Sequence, residues 1–371
     1  MQRLKLSKHH VVRRASIGRL GLQSGMTLVE WMVSITIGLI LLAGLTTLIA
    51  QQSSTQAELE KSSRQIENGR YAMQLLGEDI QMAGYYGEFS GVSSLTVPTA
   101  LPDPCATSAS AIEPAMVFPV QGYDSLTTGL PSCIAAANHV PGTDILVVRR
   151  VDPATLTAAV AAAGAGGQVY LQSGMTVSGV SFNEKMGTGA DAAGTAVFTL
   201  FQKDRATLAL LRKFLVHIYF ISPCSVPVSS TCTSAADGGK PIPTLKVLEL
   251  SASGSNTQMS TTPLVEGIEN MQIDYGLDSN VVSSQDGAPD SFVTNPTINP
   301  TPTNPTTNWP NVMALRIYLL ARNNDSSPGF TDSKTYNLGL AGTTTATNDG
   351  FKRHVFSELI RVVNPSSRRD Q

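Results

Sequence analysis

Four cysteines are the first residues in this 371-residue sequence whose side chains could do chemistry. In an oxidising compartment, an even number of cysteines predicts two disulfide bonds. Three pairings are possible, and proximity in sequence favours Cys105 with Cys133 and Cys224 with Cys232. A zinc site needs closely spaced Cys or His ligands, and these gaps fit one poorly. We therefore expect disulfides that cross-link loops flanking strands.

Acidic and amide side chains between residues 278 and 290 could bind a hard cation. The candidate Ca²⁺ ligands are Asp278, Asp286 and Asp290, together with Asn280. Oxygen ligands on a flexible loop suit calcium, but the D-x-D-x-D-G spacing of an EF-hand is absent here. A solvated polar loop is the favoured interpretation, with a calcium site as the weaker alternative.

Two histidines, His217 and His354, lie in or beside apolar runs, where a core or surface histidine is commoner than a catalytic one. No nucleophile elbow, zinc-protease motif or dinucleotide-binding motif occurs in a credible setting. The glycines of residues 164–167 lack the Lys-Ser/Thr of a phosphate-binding loop. We therefore expect no enzymatic activity, no catalytic residue and no cofactor.

The composition excludes further classes of protein. With 42% hydrophobic and 15% charged residues, the chain has enough apolar surface for a core, which argues against disorder over its full length. A net charge of −2 gives no indication of direct nucleic-acid binding. The charge is unevenly distributed, however, because residues 1–25 contain no acidic residue and six basic ones: Arg3, Lys5, Lys8, Arg13, Arg14 and Arg19.

A long apolar stretch follows this basic segment, from Met26 to Ala50, and its only charged residue is Glu30. About 20 apolar residues span a bilayer as a helix. The basic flank predicts a cytoplasmic N-terminus, with the rest of the chain outside the cytoplasm. A secretory signal fits poorly, because the apolar region of such a signal is shorter and ends at a small-x-small cleavage site. A plain membrane anchor does not explain a carboxylate inside the span, since an unpaired charge there is costly.

At this junction the chain reads SGMTLVE over residues 24–30, which resembles the class III signal of type IV pilins and pseudopilins. The resemblance implies that a prepilin peptidase cuts after Gly25 and methylates Met26, where the family usually has Phe. The glutamate at the fifth mature position, Glu30, is then implied to be an assembly residue. Alone in lipid its carboxylate is costly, but pairing with the cationic N-terminal amine in a fibre is favourable.

Beyond residue 50 the sequence becomes polar but keeps a helical period, with no proline between residues 26 and 97. We expect one helix over residues 26–84, transmembrane over 26–50, with Gly84 as its C-cap. Apolar residues at intervals of three, four or seven predict its buried face: Leu59, Ile66, Met73, Leu76, Ile80 and Ala83. Four glycines are either close-packing or bending points or simply tolerated: Gly38, Gly44, Gly69 and Gly77.

The end of this helix, IENGRYAMQLLGEDIQMAGYYG over residues 66–87, resembles the PilW family of minor pilins. Members tend to show an N-G-R-aromatic-A run followed by A-G-Y, and Arg70, Tyr71 and Gly84-Tyr85 fit it. Many members have a cysteine just after G-Y. This chain has Glu88 there, so a disulfide expected from that position must start elsewhere.

From residue 85 onward the helical period is lost, and short β-rich runs alternate with Gly/Ser/Thr/Asn/Pro stretches. This predicts an antiparallel-sheet head with long loops over residues 85–371. The predicted strands are Asp144–Arg150, Thr195–Phe201, Lys213–Ser222, Leu245–Leu250, Met271–Tyr275, Val312–Arg322 and His354–Val363. Residues 158–167 predict a short helix and a turn, and residues 278–311 and 331–350 predict irregular loops.

The last strands also resemble PilW. Residues 263–276 (PLVEGIENMQIDYG) resemble its L-V-E-G-V-E run, and Trp309 with Val312–Leu320 resembles its W-x-x-V-x-A run. Residues 353–363 resemble the closing R-x-V-F run, although Val363 stands where the family often has Arg. Pseudopilins of the J type share part of this pattern, so a type II secretion machine is an alternative.

The fold class predicted from these observations is α+β: a type IV pilin-like fold with a leader over residues 1–25, a long helix and a β-rich head. The resemblance implies a minor pilin that takes part in pilus assembly, priming or capping the fibre tip. Its implied partners are the prepilin peptidase, other minor pilins, the major pilin and the inner membrane. It would pass the inner membrane once before assembly and lie in the fibre afterwards. A membrane-anchored adhesin or sensor module is the remaining alternative.

Overall fold

A computed structural model describes residues 25–179, 181–194, 197–279, 285–302, 304–345 and 347–369. The predicted leader lies outside these residues except for Gly25, and so does Asn280 of the acidic loop. The chain divides into two compact units, residues 1–57 and residues 58–371. Each unit is therefore described by itself.

The helix predicted over residues 26–84 is observed as α1, Leu28–Met82. Its first turn is capped by Thr27, whose Oγ1 accepts the backbone N–H of Glu30 at 3.3 Å. At the other end Gly84 adopts a left-handed conformation with φ of 73°, and its N–H donates to the carbonyl of Arg149 at 2.9 Å. The side-chain amide of Asn364 donates to the carbonyls of Met82 and Ala83 at 3.4 and 3.1 Å, which supplies partners that the end of a helix lacks.

The rest of the chain forms thirteen strands and four short α-helices within the described residues, besides single turns of 3-10 helix. The strands are β1 Val120–Leu126, β2 Thr143–Val151, β3 Val169–Met175, β4 Phe182–Thr188, β5 Leu211–Ser222, β6 Thr244–Ser253, β7 Asn256–Glu266, β8 Ile268–Leu277, β9 Ser291–Val293, β10 Val312–Arg322, β11 Thr335–Asn337, β12 Thr343–Thr345 and β13 Arg353–Arg361. The short helices are α2 Ala109–Ile112, α3 Ala158–Ala163, α4 Gly189–Ala192 and α5 Val363–Ser367. The predicted α+β class, with one long helix and antiparallel sheets, is confirmed.

The strands form one seven-stranded sheet, one four-stranded sheet and one two-stranded hairpin. The larger sheet has the order β1-β2-β5-β3-β4, with β6 paired to both β5 and β7. The smaller sheet has the order β13-β10-β8-β9, and β11 with β12 forms the hairpin. In the smaller sheet β10 lies between β13 and β8. The guanidinium of Arg316 on β10 reaches the edge strand and lies 4.5 Å from the ring centre of Phe292.

Two apolar clusters make up most of the core. The first joins residues 72–83 at the end of α1 to inward side chains of both large sheets, including Tyr219, Leu245 and Leu315. The second lies on the other face of the seven-stranded sheet, where it is covered by residues 86–134. The end of α1 is therefore packed into the head.

The buried face of α1 differs in part from the predicted one. Met73, Leu76, Ile80 and Ala83 are buried as predicted, but Leu59 is 67% exposed and Ile66 is 40% exposed. The observed face continues toward the N-terminus through Gln65 and Gly69 instead. An apolar pattern could not have predicted either residue. Gln65 is polar and its amide bonds to backbone carbonyls, whereas Gly69 is buried because it lies in close contact with Phe356.

The predicted strand Thr195–Phe201 is not a strand over its described residues, 197–201, apart from a bridge at Phe201. This segment is apolar because it is buried without being a strand: Phe198 is 5% exposed and Leu200 is 1% exposed. The amide of Gln172 on β3 bonds both backbone groups of Leu200, at 3.0 and 3.3 Å. A side chain thus takes the place of a neighbouring strand.

Candidate functional site

The first part of α1 is long and apolar enough to cross a membrane, and its most apolar 18 residues are unburied. Its hydroxyl groups are compatible with a lipid environment, because they donate to backbone carbonyls three or four residues earlier at 2.7–2.9 Å: Ser34, Thr36, Thr46 and Thr47. The carboxylate of Glu30 is then the one charged group between residues 26 and 50, and it is exposed.

The predicted cleavage site lies immediately before the helix. Gly25 and Met26 precede the first helical residue, Leu28, and both are exposed, Met26 by 65%. A peptidase needs an extended, accessible backbone, and glycine at the cut allows close approach. The position of these residues suits cleavage there, and Glu30 is the third residue after the N-cap Thr27.

The second part of α1 ends in a buried ion-pair cluster around Asp79. Its carboxylate lies 2.6 Å from Nε of Arg150 and 2.8 Å from Nδ1 of His217, and it accepts the hydroxyl of Tyr219 at 2.9 Å. Burial alone would raise the pKa of Asp79, but the hydrogen bond and charge of His217 and the charge of Arg150 lower it to about 2. His217, predicted as a core or surface histidine, therefore helps to hold the helix on the seven-stranded sheet.

Other residues of the helix hold it to the smaller sheet and to β7. The side-chain amide of Gln65 donates to the carbonyls of Ala321 and Lys352 at 2.7 and 3.0 Å. Asn68 donates to the carbonyl of Glu266 at 3.0 Å. Gly69 faces Phe356 so closely that a Cβ there would overlap the ring. Asn68 and Gly69 begin the N-G-R-aromatic run, so part of that run is a contact surface for the head.

Arg353, at the start of β13, is the centre of a second charged cluster. Its guanidinium, whose side chain is 2% exposed, pairs with Glu269, Asp332 and Asp349. The hydrogen bonds of Arg353 lower the pKa of Asp349. Asp332 and Asp349 lie near the two ends of the segment predicted as an irregular loop, so one arginine fastens both ends to the sheet.

The acidic side chains suggested as calcium ligands bond to protein groups. Asp278 is fully buried and accepts the backbone N–H of Gly287 at 3.1 Å and Nη1 of Arg369 at 3.3 Å. Asp290 accepts the N–H of Ser279 at 2.8 Å, and Asp286 accepts that of Ala288 at 3.0 Å. Within the described residues, no group of three His, Cys, Asp or Glu side chains is arranged to hold a metal ion.

The cysteines lie in the head as two bonded pairs, Cys105 with Cys133 and Cys224 with Cys232, each with a Cα–Cα distance of 5.6 Å. The second candidate histidine, His354, is exposed, and its ring packs edge-on against Phe356 with centroids 4.8 Å apart. These residues therefore serve structure in the head.

Sequence reasoning missed the ion pairs that hold the helix and the loop. One signal for Asp79 was available: a carboxylate on the apolar side of a helix, between Leu76 and Ile80, requires a buried partner. For Arg353 there was no such signal, because its partners are contributed by residues far apart in sequence.

Two family models match the chain. Residues 230–364 match PilW, described as Type IV Pilus-assembly protein W, and residues 21–46 match the prokaryotic N-terminal methylation motif. No curated protein matches. Among solved structures, a type IV-like pilin, TTHA1219 from Thermus thermophilus, is similar at 17% identity, with 40% of this chain and 78% of that chain covered and a TM-score of 0.18.

Proposed function

We propose that this chain, which matches the family models for PilW and for the N-terminal methylation motif, is a minor pilin of a type IV pilus. In this proposal a prepilin peptidase cuts between Gly25 and Met26 and methylates Met26. The mature chain then joins other pilins through its apolar helix. The matched families are structural proteins, in agreement with the expectation of no enzymatic activity.

One observation carries the proposal most strongly: a single carboxylate lies at the start of an otherwise apolar helix. Glu30 is exposed, and the hydroxyl groups of the same segment are already bonded within the helix. A carboxylate in lipid requires a cationic partner. The new amine at Met26 of a neighbouring subunit would supply it, so Glu30 is proposed to select and hold that neighbour.

The mass of the N-terminal peptide, from membranes with and without the prepilin peptidase, tests the processing step. We expect a chain that begins at a singly N-methylated Met26 and that is lost when the peptidase is absent. A chain that still begins at Met1 in the presence of the peptidase would contradict the proposal. It would favour a head that is merely anchored to the membrane.

The proposed place in the fibre is its tip, where the chain primes or caps assembly together with other minor pilins. The head, residues 85–371, is large for a pilin, and neighbours limit head size less at a tip than along the fibre. The N-terminus would face the cytoplasm, because the basic segment precedes the apolar one. Cross-linking of the full-length chain in membranes tests this: minor pilins should be captured in preference to the major pilin, and the opposite result would contradict a tip position.

A further inference from the structure

A lysine side chain is buried on the central strand β6 without a partner. Lys246 is 4% exposed and lies opposite Phe220 of β5 and Pro263 of β7. Within the described part of the chain, its ammonium has neither a hydrogen bond nor an ion pair. The ammonium nitrogen is not among the side-chain atoms that are both shielded from water and unpaired, so it keeps contact with solvent where the side chain lines a cavity. A cation in that position, without a protein partner, can bind an anion that enters from solvent.

The Lys246 side chain lines a cavity of about 210 Å³ at one end of the seven-stranded sheet. Its walls are mostly apolar and include Ile134, Phe220 and Leu248. These three residues belong to the second core cluster, so the cavity is an opening into a packed region rather than a surface groove. Burial lowers the pKa of the Lys246 ammonium, and the charge of Asp237 offsets part of this effect.

Both disulfide-linked loops enclose this cavity. Cys133 is part of its lining, and so are Pro227 and Ser230 from the loop closed by Cys224 and Cys232. Asn138, in the segment that follows Cys133, holds the second loop, because its side chain donates to the carbonyl of Ser230 at 2.9 Å and accepts the N–H of Cys232 at 2.8 Å. The walls are thus fixed by covalent and hydrogen-bonded links.

The nearby acidic side chain does not neutralise the lysine. Asp237 uses its carboxylate to accept three backbone N–H groups, from Ser225, Val226 and Ile242, at 2.6–2.9 Å. Those bonds fix the loop. Burial alone would raise the pKa of Asp237, but the three backbone bonds, with a smaller effect of the Lys246 charge, lower it. No described carboxylate lies within ion-pair distance of Nζ of Lys246, which leaves the ammonium free to bind an anion from outside.

We propose that this cavity binds a small monocarboxylate with a short apolar tail, its carboxylate on the ammonium of Lys246 and its tail against the apolar wall. One ammonium matches one negative charge, and a phosphate dianion would need several more donors. At about 30 Å³ for each water of the liquid, the cavity has the volume of about seven waters, enough for a carboxyl group with a few carbons. This binding site is independent of the assembly role proposed above.

Equilibrium dialysis of the full-length protein in a nonionic detergent, with isotope-labelled acetate, propionate or butyrate, tests the site against empty micelles. We expect saturable binding that strengthens by up to about fourfold with each methylene added. The Lys246→Met variant should bind butyrate at least about tenfold more weakly, because a charge-assisted bond is lost. Lys240→Met, which alters an exposed lysine nearby, should bind like the unchanged protein.

Butyramide separates charge from shape and should bind about tenfold more weakly than butyrate. No saturable butyrate binding, equal binding by Lys246→Met, or equal binding of butyramide would each overturn the proposal. An affinity that does not change from acetate to butyrate would overturn the assignment of an apolar tail.

If Lys246→Met does not fold, a second measurement on the unchanged protein tests the same proposal. Lysines of the unchanged protein are methylated with formaldehyde and a borohydride, and the rate at each lysine is read by mass spectrometry. Butyrate should slow methylation of Lys246 severalfold and leave Lys240 unaffected. Equal rates at Lys246 with and without butyrate would overturn the proposal.

Discussion

Gly69 lies where α1 meets the edge strand β13, and the contact leaves no space for a side chain. A Cβ at this position would overlap the ring of Phe356, whereas a Cβ at Gly77 would lie 3.8 Å from Cδ1 of Ile360, an ordinary contact. The two glycines are therefore not equivalent, although both lie in the same helix and on its buried side.

We expect Gly69→Ala to lower the free energy of unfolding by about 1–3 kcal/mol, because Phe356 must move out of its place. Gly77→Ala is the matched control and should raise it by up to about 1 kcal/mol, since alanine favours a helix. Urea unfolding of the full-length chain in detergent, followed by near-ultraviolet circular dichroism, measures both. Equal effects of the two substitutions would contradict the close contact.

Asp79 gives a prediction on pH dependence. Its pKa in the folded chain is about 2, below the ordinary value of 3.8. Because the folded pKa is depressed, the stability contributed by this carboxylate is fully present above about pH 4 and is lost as the pH falls toward 2. Its size is about 2–3 kcal/mol, from a shift of nearly two units at a buried site.

The Asp79→Asn variant isolates this contribution, because it keeps the shape of the side chain and removes its charge. We expect it to be less stable than the unchanged protein at pH 7, with the difference shrinking as the pH is lowered from 4 to 2. Denaturant unfolding at several pH values measures the difference. A gap that stays constant over that range would show that the ion pairs with Arg150 and His217 contribute nothing.

At the scale of elements, Arg353 fastens the segment of residues 331–350. Replacing it by Met would leave Asp332 buried, with Tyr336 still donating to it at 2.9 Å but no cation beside it. We expect Arg353→Met to cost at least about 3 kcal/mol, the usual result of removing one partner of a buried pair. The segment should also become a site of rapid proteolysis.

Limited proteolysis with mass spectrometry checks this. Lys334→Met is the control, because Lys334 is an exposed cation within the same segment and outside the Arg353 cluster. We expect cleavage within residues 331–350 for Arg353→Met and a pattern unchanged from the natural sequence for Lys334→Met. If both variants resist the protease equally, Arg353 does not hold the segment.

Helices and strands with an apolar pattern in their own sequence were predictable. The apolar helix and the β5 and β10 strands have continuous apolar runs, and their observed bounds lie close to the predicted ones. Strand β7, Asn256–Glu266, was not predicted, because most of its residues are polar, only Val265 is buried, and the strand exists through pairing with β6. Gln65 shows the same limit within a helix, since its buried amide is explained only by carbonyls more than 250 residues away.

The residues of the candidate site likewise fall into two groups, those in one contiguous run of sequence and those that only the fold brings together. The roles assigned to Gly25, Met26 and Glu30 rest on a contiguous run of residues in the sequence, and they stay predictions. The partners of Asp79 and the walls of the Lys246 cavity cannot be inferred from the amino-acid sequence, because they come from separate strands and loops. Spacing along the chain does not show which of these residues the fold brings together.

At the scale of the whole molecule, the second part of α1 is held by both large sheets. Asp79 bonds to the seven-stranded sheet through Arg150 and His217, and Gln65 bonds to the smaller sheet. Ion pairs and hydrogen bonds at both ends of this part leave little freedom to rotate. The second part of α1 is therefore a fixed element of the head.

The carboxylate of Glu30 gives the last prediction, which concerns assembly. We expect Glu30→Gln to be inserted in the membrane and processed normally, since the helix and the cleavage site are unchanged. Incorporation into sheared fibres should fall by at least about tenfold, because the charge-assisted bond to the neighbour's amine in a low dielectric is lost. Quantitative mass spectrometry of the fibre and membrane fractions measures it.

Glu67→Gln is the matched control for this experiment, because Glu67 is an exposed glutamate of the same helix in its polar second part. It should enter fibres as the natural chain does. If Glu30→Gln enters fibres at the same level as Glu67→Gln, the carboxylate does not hold a neighbouring subunit. The apolar segment would then act as an anchor, and the head would have to carry out its function while fixed to the membrane.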